Sequence, residues 1–384
     1  MSGPLHGVTV VEMAAIGPCP FAGMLLADMG ATVIRIDRLP GPRRAMDDYT
    51  ANDTLLDRGR LSVALDLKQP RGVALALDII AGADILIEGF RPGVMERLGL
   101  GPEPCRERNR RLVYGRMTGW GQTGPLSQAA GHDLNYIALT GALGAMGHAD
   151  RPPTPPLNLV GDYGGGAMYL ALGVVAALFD AARHGEGQVV DAAMVDGAAS
   201  LMTMMYSLKS RGTWRSARQS NIIDGGAHFY GIYECADGKY LTLGAIEPQF
   251  YRELLERCAI LDPAFDAQWD EAAWPALRER MAAMLRTRTR DAWCEILDGT
   301  DACAAPVLDM DEAPTHPHMR ARGTFIDDGG VVRPAPAPRF ERAAPAASSP
   351  PKVGEHTLRL LRSQGLSESE IDQLRAEQVI AVAD

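Results

Sequence analysis

Three acidic or basic side chains stand at the starts of helical patterns, where they could bind or react with a ligand. Asp162 precedes three glycines, 164–166, that open a long apolar pattern. Glycines there let a ligand approach main-chain N–H groups at the positive end of a helix dipole, which suits an oxyanion. His132 precedes a second apolar pattern, and Glu247 stands before Pro248. Each also fits a structural role, as an N-cap, a structural histidine and an ordinary N-terminal acid.

Signature motifs for several other chemistries are absent. The sequence contains no G-x-x-x-x-G-K-[ST], no H-E-x-x-H and no G-x-S-x-G, which argues against a P-loop nucleotide site, a zincin and an α/β-hydrolase. His316 and His318 have the side-chain type of a metal ligand, but no third histidine or cysteine is near them in the sequence. We therefore expect no metal.

Strands and helices alternate through the first part of the chain. The patterns favour strands at 8–11, 33–36, 61–67, 84–87 and 112–116, with helices up to residue 28 and at 73–81. Strands separated by helices predict an α/β fold with a doubly wound parallel sheet that binds ligands at the carboxyl ends of its strands.

Changes in composition divide the chain further. We predict a large α/β domain at 1–209, a polar linker at 210–224, a small α+β domain at 225–325, and a return linker with a C-terminal helix at 326–384. The small domain should open with a hairpin turning at Asp237-Gly238. The return segment is rich in proline and alanine over 333–351, and a capping box at 367–370 begins the last helix.

Charge and composition limit the partners. The 384 residues carry 38 Lys+Arg and 48 Asp+Glu, a net charge of −10 that argues against nucleic-acid binding. The six cysteines include no C-x-x-C pair, and no export signal opens the sequence. These features predict a cytoplasmic protein with reduced thiols.

Several apolar segments carry more hydrophobic surface than we expect one chain to bury. Residues 163–179 contain no charged side chain, and we interpret them as a buried helix rather than a membrane span. Residues 133–149 and the methionine-rich 194–205 are also apolar. Helices of this kind need cover on nearly all sides, so we expect an oligomer and no membrane association.

Six segments together resemble one family. They are 87–103 (IEGFRPGVMERLGLGPE), 112–133 (LVYGRMTGWGQTGPLSQAAGHD), 156–173 (PLNLVGDYGGGAMYLALG), 187–197 (GQVVDAAMVDG), 233–241 (YECADGKYL) and 245–250 (AIEPQF). They are similar to the family III CoA-transferase superfamily, and within it to the α-methylacyl-CoA racemase branch. The resemblance runs from residue 3 to about residue 340 and implies an interlocked homodimer.

The resemblance implies roles for specific residues. His132 and Asp162 match two acid/base groups that face opposite sides of the substrate α-carbon. Glu247 matches a glutamate that orients the histidine from the partner's small domain, so that the active site is shared between subunits. Positions implied to bind coenzyme A are Arg38, Leu65, Asp66, Leu67, Lys68, Gly89, Phe90, Arg91, Arg97, Gly131, His132, Asp133, Leu134, Asn135 and Tyr136.

The implied reaction interconverts (R)- and (S)-2-methylacyl-CoA thioesters by 1,1-proton transfer. One base removes the α-proton and an acid on the other face returns one, while main-chain N–H groups stabilise the enolate oxygen. Coenzyme A is part of the acyl-CoA substrate, so no separate cofactor is expected. The alternative within the superfamily is a CoA transferase, in which Asp162 attacks the thioester covalently. The presence of both His132 and Glu247 favours the racemase.

Overall fold

Two compact units make up the chain. The structure is a computed structural model that describes residues 3–41, 55–342 and 349–383. The large unit comprises Met1–Thr140, Pro156–Met202 and Arg333–Asp384, and the small unit comprises Gly141–Pro155 and Thr203–Val332. Residues 141–155 and 203–209, which the sequence analysis assigned to the large domain, thus group with the small unit.

A seven-stranded sheet forms the centre of the large unit. Its strands are β1 Thr9–Met13, β2 Thr32–Asp37, β3 Arg60–Leu65, β4 Ile85–Glu88, β5 Val113–Thr118, β6 Val189–Ala193 and β12 Ile380–Ala381. Their order is β12-β3-β2-β1-β4-β5-β6, and all pairs are parallel except β12 with β3. The strand order reverses between β1 and β4, which is where such sheets place their ligands.

Helices cover both faces of this sheet. The helices of the large unit are α1 Pro18–Asp28, α2 Pro70–Ala81, α3 Val94–Arg97, α4 Pro102–Arg108, α5 Asp133–Leu139, α6 Met168–His184, α7 Met194–Leu201, α13 Thr357–Ser363 and α14 Glu368–Ala376. Neighbouring strand residues point to opposite faces, so Val10 packs with α1 and α6 while Val11 packs with α2, α13 and α14. The predicted doubly wound α/β architecture is confirmed.

A π-helical segment, Leu159–Ala167, runs directly into α6. The predicted helix therefore begins before its three glycines. Together the two segments form a 26-residue helix, Leu159–His184, that is long and apolar enough to cross a membrane by length and composition alone. On α6, Leu170, Val174 and Ala177 are buried against the sheet.

The small unit is built on a three-stranded antiparallel sheet. Its strands are β7 Tyr230–Glu234, β8 Tyr240–Gly244 and β9 Ala304–Pro306, and its helices are α8 Thr203–Ser210, α9 Pro248–Arg257, α10 Trp274–Leu285, α11 Arg290–Leu297 and α12 Pro317–Arg322. The predicted β7–β8 hairpin is confirmed, and Gly238 in its turn has the positive φ of 74° that favours glycine. A separate two-stranded sheet joins β10 Phe325–Asp328 to β11 Val331–Pro334.

The C-terminal segment returns to the large unit. The predicted capping box is present, because Ser367 Oγ accepts from Glu370 N and Glu370 Oε2 accepts from Ser367 N at 2.8 Å. After α14 the chain pairs Ile380 with Leu65 on β3, adding an edge strand that the sequence analysis did not predict. The predicted extended linker at 333–351 lies partly outside the described residues, which omit 343–348.

Charged side chains are buried beside the amino-terminal strands. Glu12 on β1 and Arg60 on β3 form a fully buried ion pair with a 3.0 Å Nε–Oε2 distance. The Arg60 guanidinium also donates to the carbonyl oxygens of Pro20, Leu56 and Arg58. This arginine thereby joins β1, β3 and the start of α1.

Replacing Arg60 by methionine should destabilise the fold by about 3–5 kcal/mol, because Glu12 is left as a buried charge without its partner. Urea unfolding followed by circular dichroism measures the loss. Arg71→Met is the matched control, since its ion pair with Glu377 is exposed and should contribute at most about 1 kcal/mol. Equal unfolding midpoints for the two variants would contradict the role given to Arg60.

Candidate active site

The main chain around His132 is held on both sides. His132 is the N-cap of α5, and its N–H donates to Asn135 Oδ1 at 3.0 Å. The Tyr136 hydroxyl donates to the Gly131 carbonyl, and the Tyr136 ring packs edge-on against Trp120 at 4.7 Å between centroids. The His132 side chain itself is exposed. A fixed main chain thus presents a reachable imidazole.

Asp162 lies inside the π-helical segment rather than at a helix start. The N-cap position belongs to Asn158, whose side-chain amide donates to Asp162 Oδ2 at 3.3 Å. The Asp162 N–H donates to Asp133 Oδ2 at 2.7 Å. The N-cap interpretation of Asp162 is therefore wrong. A π-helical turn is uncommon and is often found at a functional site.

The surroundings of Asp162 change its acidity. Burial raises the pKa of the Asp162 carboxyl above its usual value, and the neighbouring Asp133 charge raises it further. The hydrogen bond from Asn158 and the positive charge of a protonated His132 act in the opposite direction and lower it. A carboxyl with a raised pKa is better suited to exchange protons with an imidazole.

The start of α1 also borders Asp162. Gly17 has a φ of 75°, and a Cβ at that position would lie 3.3 Å from Asp162 Oδ2. Phe21, one turn into α1, stacks on Tyr163 at 4.3 Å between ring centroids. Sequence reasoning did not single out Gly17 or Asn158. The spacing of Asn158 four residues before Asp162, one helical turn, was the available signal.

The main-chain N–H groups near Asp162 are partly occupied. The sequence analysis expected such groups to stabilise an enolate oxygen. The Asp162 N–H donates to Asp133, and the Tyr163 N–H donates to the Asn158 carbonyl at 3.3 Å. The assignment of enolate donors stays a prediction.

Glu247 lies in the small unit. It is the N-cap of α9, is exposed, and is followed by Pro248 at the first helical position. This placement matches the expected helix entry and leaves the carboxylate accessible. Its orientation of His132 from a partner subunit stays a prediction.

Residues predicted to bind coenzyme A cluster at the carboxyl ends of adjacent strands. Arg38 follows β2, residues 66–68 follow β3, and residues 89–91 follow β4. Four cationic side chains of this set are exposed, namely Arg38, Lys68, Arg91 and Arg97. Because β3, β2, β1 and β4 are neighbours, these cations line one edge of the sheet, where a polyanion could bind.

Glu88 fixes the loop after β4. Its Oε2 accepts from Phe90 N at 2.7 Å, and its Oε1 accepts from Arg116 Nε at 3.1 Å. Burial raises the pKa of Glu88 to about 7. This carboxyl holds the turn that carries Gly89 and Arg91, and sequence reasoning did not identify it because it resembles an ordinary strand residue.

Comparison with known proteins agrees with this arrangement. The model of CoA-transferase family III matches residues 5–357. The chain belongs to CoA-transferase family III.

Relatives within family III match nearly the full chain. The α-methylacyl-CoA racemases of Mus musculus and Homo sapiens are 45% and 42% identical over 98% of this chain and 97% of their own length. The structure of a CAIB/BAIF family protein from Brucella suis superposes with a TM-score of 0.79 at 25% identity, covering 95% of this chain and all of that one. The family recognised in the sequence is confirmed.

A metal-ligand cluster is absent from the residues that the structure describes. Within residues 3–41, 55–342 and 349–383, no three His, Cys, Asp or Glu side chains come together in an arrangement that could hold a metal ion.

Asn158→Ala should raise the pKa of Asp162, because the variant loses a hydrogen bond that favours the carboxylate. Carbon-13 NMR of labelled aspartate would show the Asp162 titration midpoint at higher pH. Asn109→Ala is the control, since the Asn109 side-chain amide donates to the Ala83 carbonyl rather than to Asp162. An unchanged midpoint in Asn158→Ala would contradict the contact.

Proposed function

We propose that this family III chain is an α-methylacyl-CoA racemase, an isomerase that interconverts (R)- and (S)-2-methylacyl-CoA thioesters by 1,1-proton transfer. The observation that supports the mechanism is the 2.7 Å hydrogen bond from Asp162 N to Oδ2 of Asp133, the residue after His132, which joins the two segments that carry these side chains. Identity of 42% and 45% to two proteins named as this racemase, over nearly their full lengths, supports the activity.

The two side chains divide the proton transfers. One takes the α-proton from one face of the thioester, and the other, in its acid form, returns a proton to the opposite face of the enolate. Both groups must exist in acid and base forms at the same pH. Burial of Asp162 helps to meet that requirement, because it raises the carboxyl pKa toward the range in which imidazole titrates.

Coenzyme A enters as part of the substrate, and no separate cofactor takes part. We assign binding of its phosphates to the exposed cations at the carboxyl edge of the sheet, since arginine can bind a phosphate through two N–H groups. The Glu88 contact supports this role by fixing the turn that carries Arg91.

A homodimer completes the proposed site, with Glu247 of one subunit orienting His132 of the other. An exposed apolar stripe on the large unit supports this assembly. Met168, Leu172 and Phe179 lie on the solvent side of α6, and Leu172 and Phe179 are 69% and 65% exposed. Leucines on neighbouring segments extend the exposed apolar surface, at positions Leu139, Leu157, Leu159 and Leu201. A surface of this kind on one molecule indicates a protein partner.

The setting that we propose is cytoplasmic lipid metabolism, with 2-methylacyl-CoA thioesters as the substrate class. Four of the six cysteines are buried, and all six are free thiols, which suits a reducing compartment. The acidic net charge of −10 supports a small-molecule substrate rather than nucleic acid.

His132→Ala and Asp162→Ala separate the racemase from a transferase. In the racemase both variants should lose at least about 100-fold in racemisation, since each removes one acid/base group. Binding of the thioester, measured by calorimetry, should remain. A transferase would lose activity with Asp162→Ala and retain it with His132→Ala, because Asp162 alone is its nucleophile.

Phe179→Glu together with Leu172→Glu should convert the dimer into monomers and abolish racemisation, because the introduced charges would be buried at the interface. Sedimentation velocity measures the oligomeric state. Leu261→Glu is the control, as Leu261 is 93% exposed on the small unit. A double variant that sediments like the unsubstituted protein would show that the stripe is not the dimer interface.

A further inference from the structure

Asp133 makes a contact that the proposed proton transfers do not use. It is the first residue of α5 and directly follows His132. Its side chain is only 6% exposed, and its Oδ2 accepts from Asp162 N at 2.7 Å. The family resemblance implies that Asp133 binds coenzyme A, but its carboxylate accepts from the main chain of Asp162.

The approach between the two segments is unusually close. A Cβ added at Gly161 would lie 2.5 Å from Asp133 Oδ2, which no ordinary side chain tolerates. Glycine at 161 therefore lets the Asp133 carboxylate reach the main chain of the π-helical segment. The contact links the residue after His132 to the residue that carries the second carboxyl.

A purely structural tie would not need a charged acceptor. Serine or asparagine can accept from a main-chain N–H equally well. Asp133 instead buries Oδ1, which has no hydrogen-bond partner among the residues that the structure describes, and places a second negative charge near Asp162. An acid in the first turn favours α5, but that effect needs no contact with Asp162.

We propose that Asp133 is a positioning residue for Asp162: its carboxylate fixes the π-helical main chain so that the Asp162 side chain and His132 face the same α-carbon. This inference rests on the proposed racemase function. Under this proposal Asp133 has two separable effects. Its hydrogen bond fixes the main chain at Asp162, and its negative charge raises the pKa of the Asp162 carboxyl. Asparagine at this position keeps the acceptor and removes the charge, whereas alanine removes both.

The charge effect has a defined sign. The titratable groups that interact with Asp162 are His132, Asp133 and Tyr136, all on or beside α5. The Asp133 charge raises the pKa of Asp162, so Asp133→Asn should lower it. The pH above which Asp162 can act as a base then moves down. The Asn158→Ala variant should move this pH up, because it raises the pKa of Asp162.

The test compares Asp133→Asn and Asp133→Ala in the full-length protein. Asp133→Ala should lower kcat by about 10- to 100-fold with little change in KM, because misplacing a catalytic group by about 1 Å has effects of this size. Asp133→Asn should lose less kcat and shift the Asp162 titration, read by carbon-13 NMR, to lower pH. Asp84→Asn is the matched control, since Asp84 accepts from Thr9 N at 2.9 Å away from the site.

Two results would overturn the proposal. One is an unchanged kcat in Asp133→Ala. The other is a loss of kcat in Asp133→Ala that equals the loss of folded protein, measured by thermal unfolding, together with an unchanged Asp162 titration midpoint in Asp133→Asn. Failure of the racemase function is distinguishable, because the wild-type protein would then not racemise while the NMR titration would still report the contact.

Discussion

The site depends on two close approaches at the glycine-rich segment, one between Gly161 and the Asp133 side chain and one between Gly165 and the main chain of α7. A Cβ at Gly161 would lie 2.5 Å from the Asp133 carboxylate, and one at Gly165 would lie 2.6 Å from Ala198 N on α7. Side chains at these positions would push α5 and α7 away. The glycines thus serve packing at least as much as ligand access. Their flexibility costs helical stability, and contacts with α5 and α7 offset that cost.

This close packing leaves the Asp162 carboxyl half-buried. Asp162 is held between a like charge on Asp133 and a hydrogen bond from Asn158, and the surrounding burial favours its neutral form. His132, the residue before Asp133, is exposed. A carboxyl whose pKa is raised toward the range in which imidazole titrates is better matched to proton exchange with a histidine. The fold raises the pKa of Asp162 chiefly through burial.

Local patterns in the sequence predicted the elements that depend on local physics. The alternating β-α-β segments, the Asp237-Gly238 hairpin and the capping box at Ser367 follow from periodicity, turn chemistry and capping. The π-helical turn was not predictable, since its apolar spacing resembles that of an α-helix. The contacts of Asp162 with Asp133 and Gly17 join residues 29 and 145 positions apart, and no local pattern reports such distances. Motif resemblance named His132 and Asp162, but it did not show that burial raises the pKa of Asp162.

The central claim is that two different groups, His132 and Asp162, exchange protons on opposite faces of one carbon. Its most direct test is to incubate each enantiomer of a 2-methylacyl-CoA in D₂O without an acceptor acid, and to follow both enantiomers by NMR and mass spectrometry at low conversion. The account predicts that the newly formed enantiomer carries solvent deuterium at the α-carbon while the remaining substrate keeps its proton. Product that retains the original proton would instead indicate a single base that returns it, and would contradict the account.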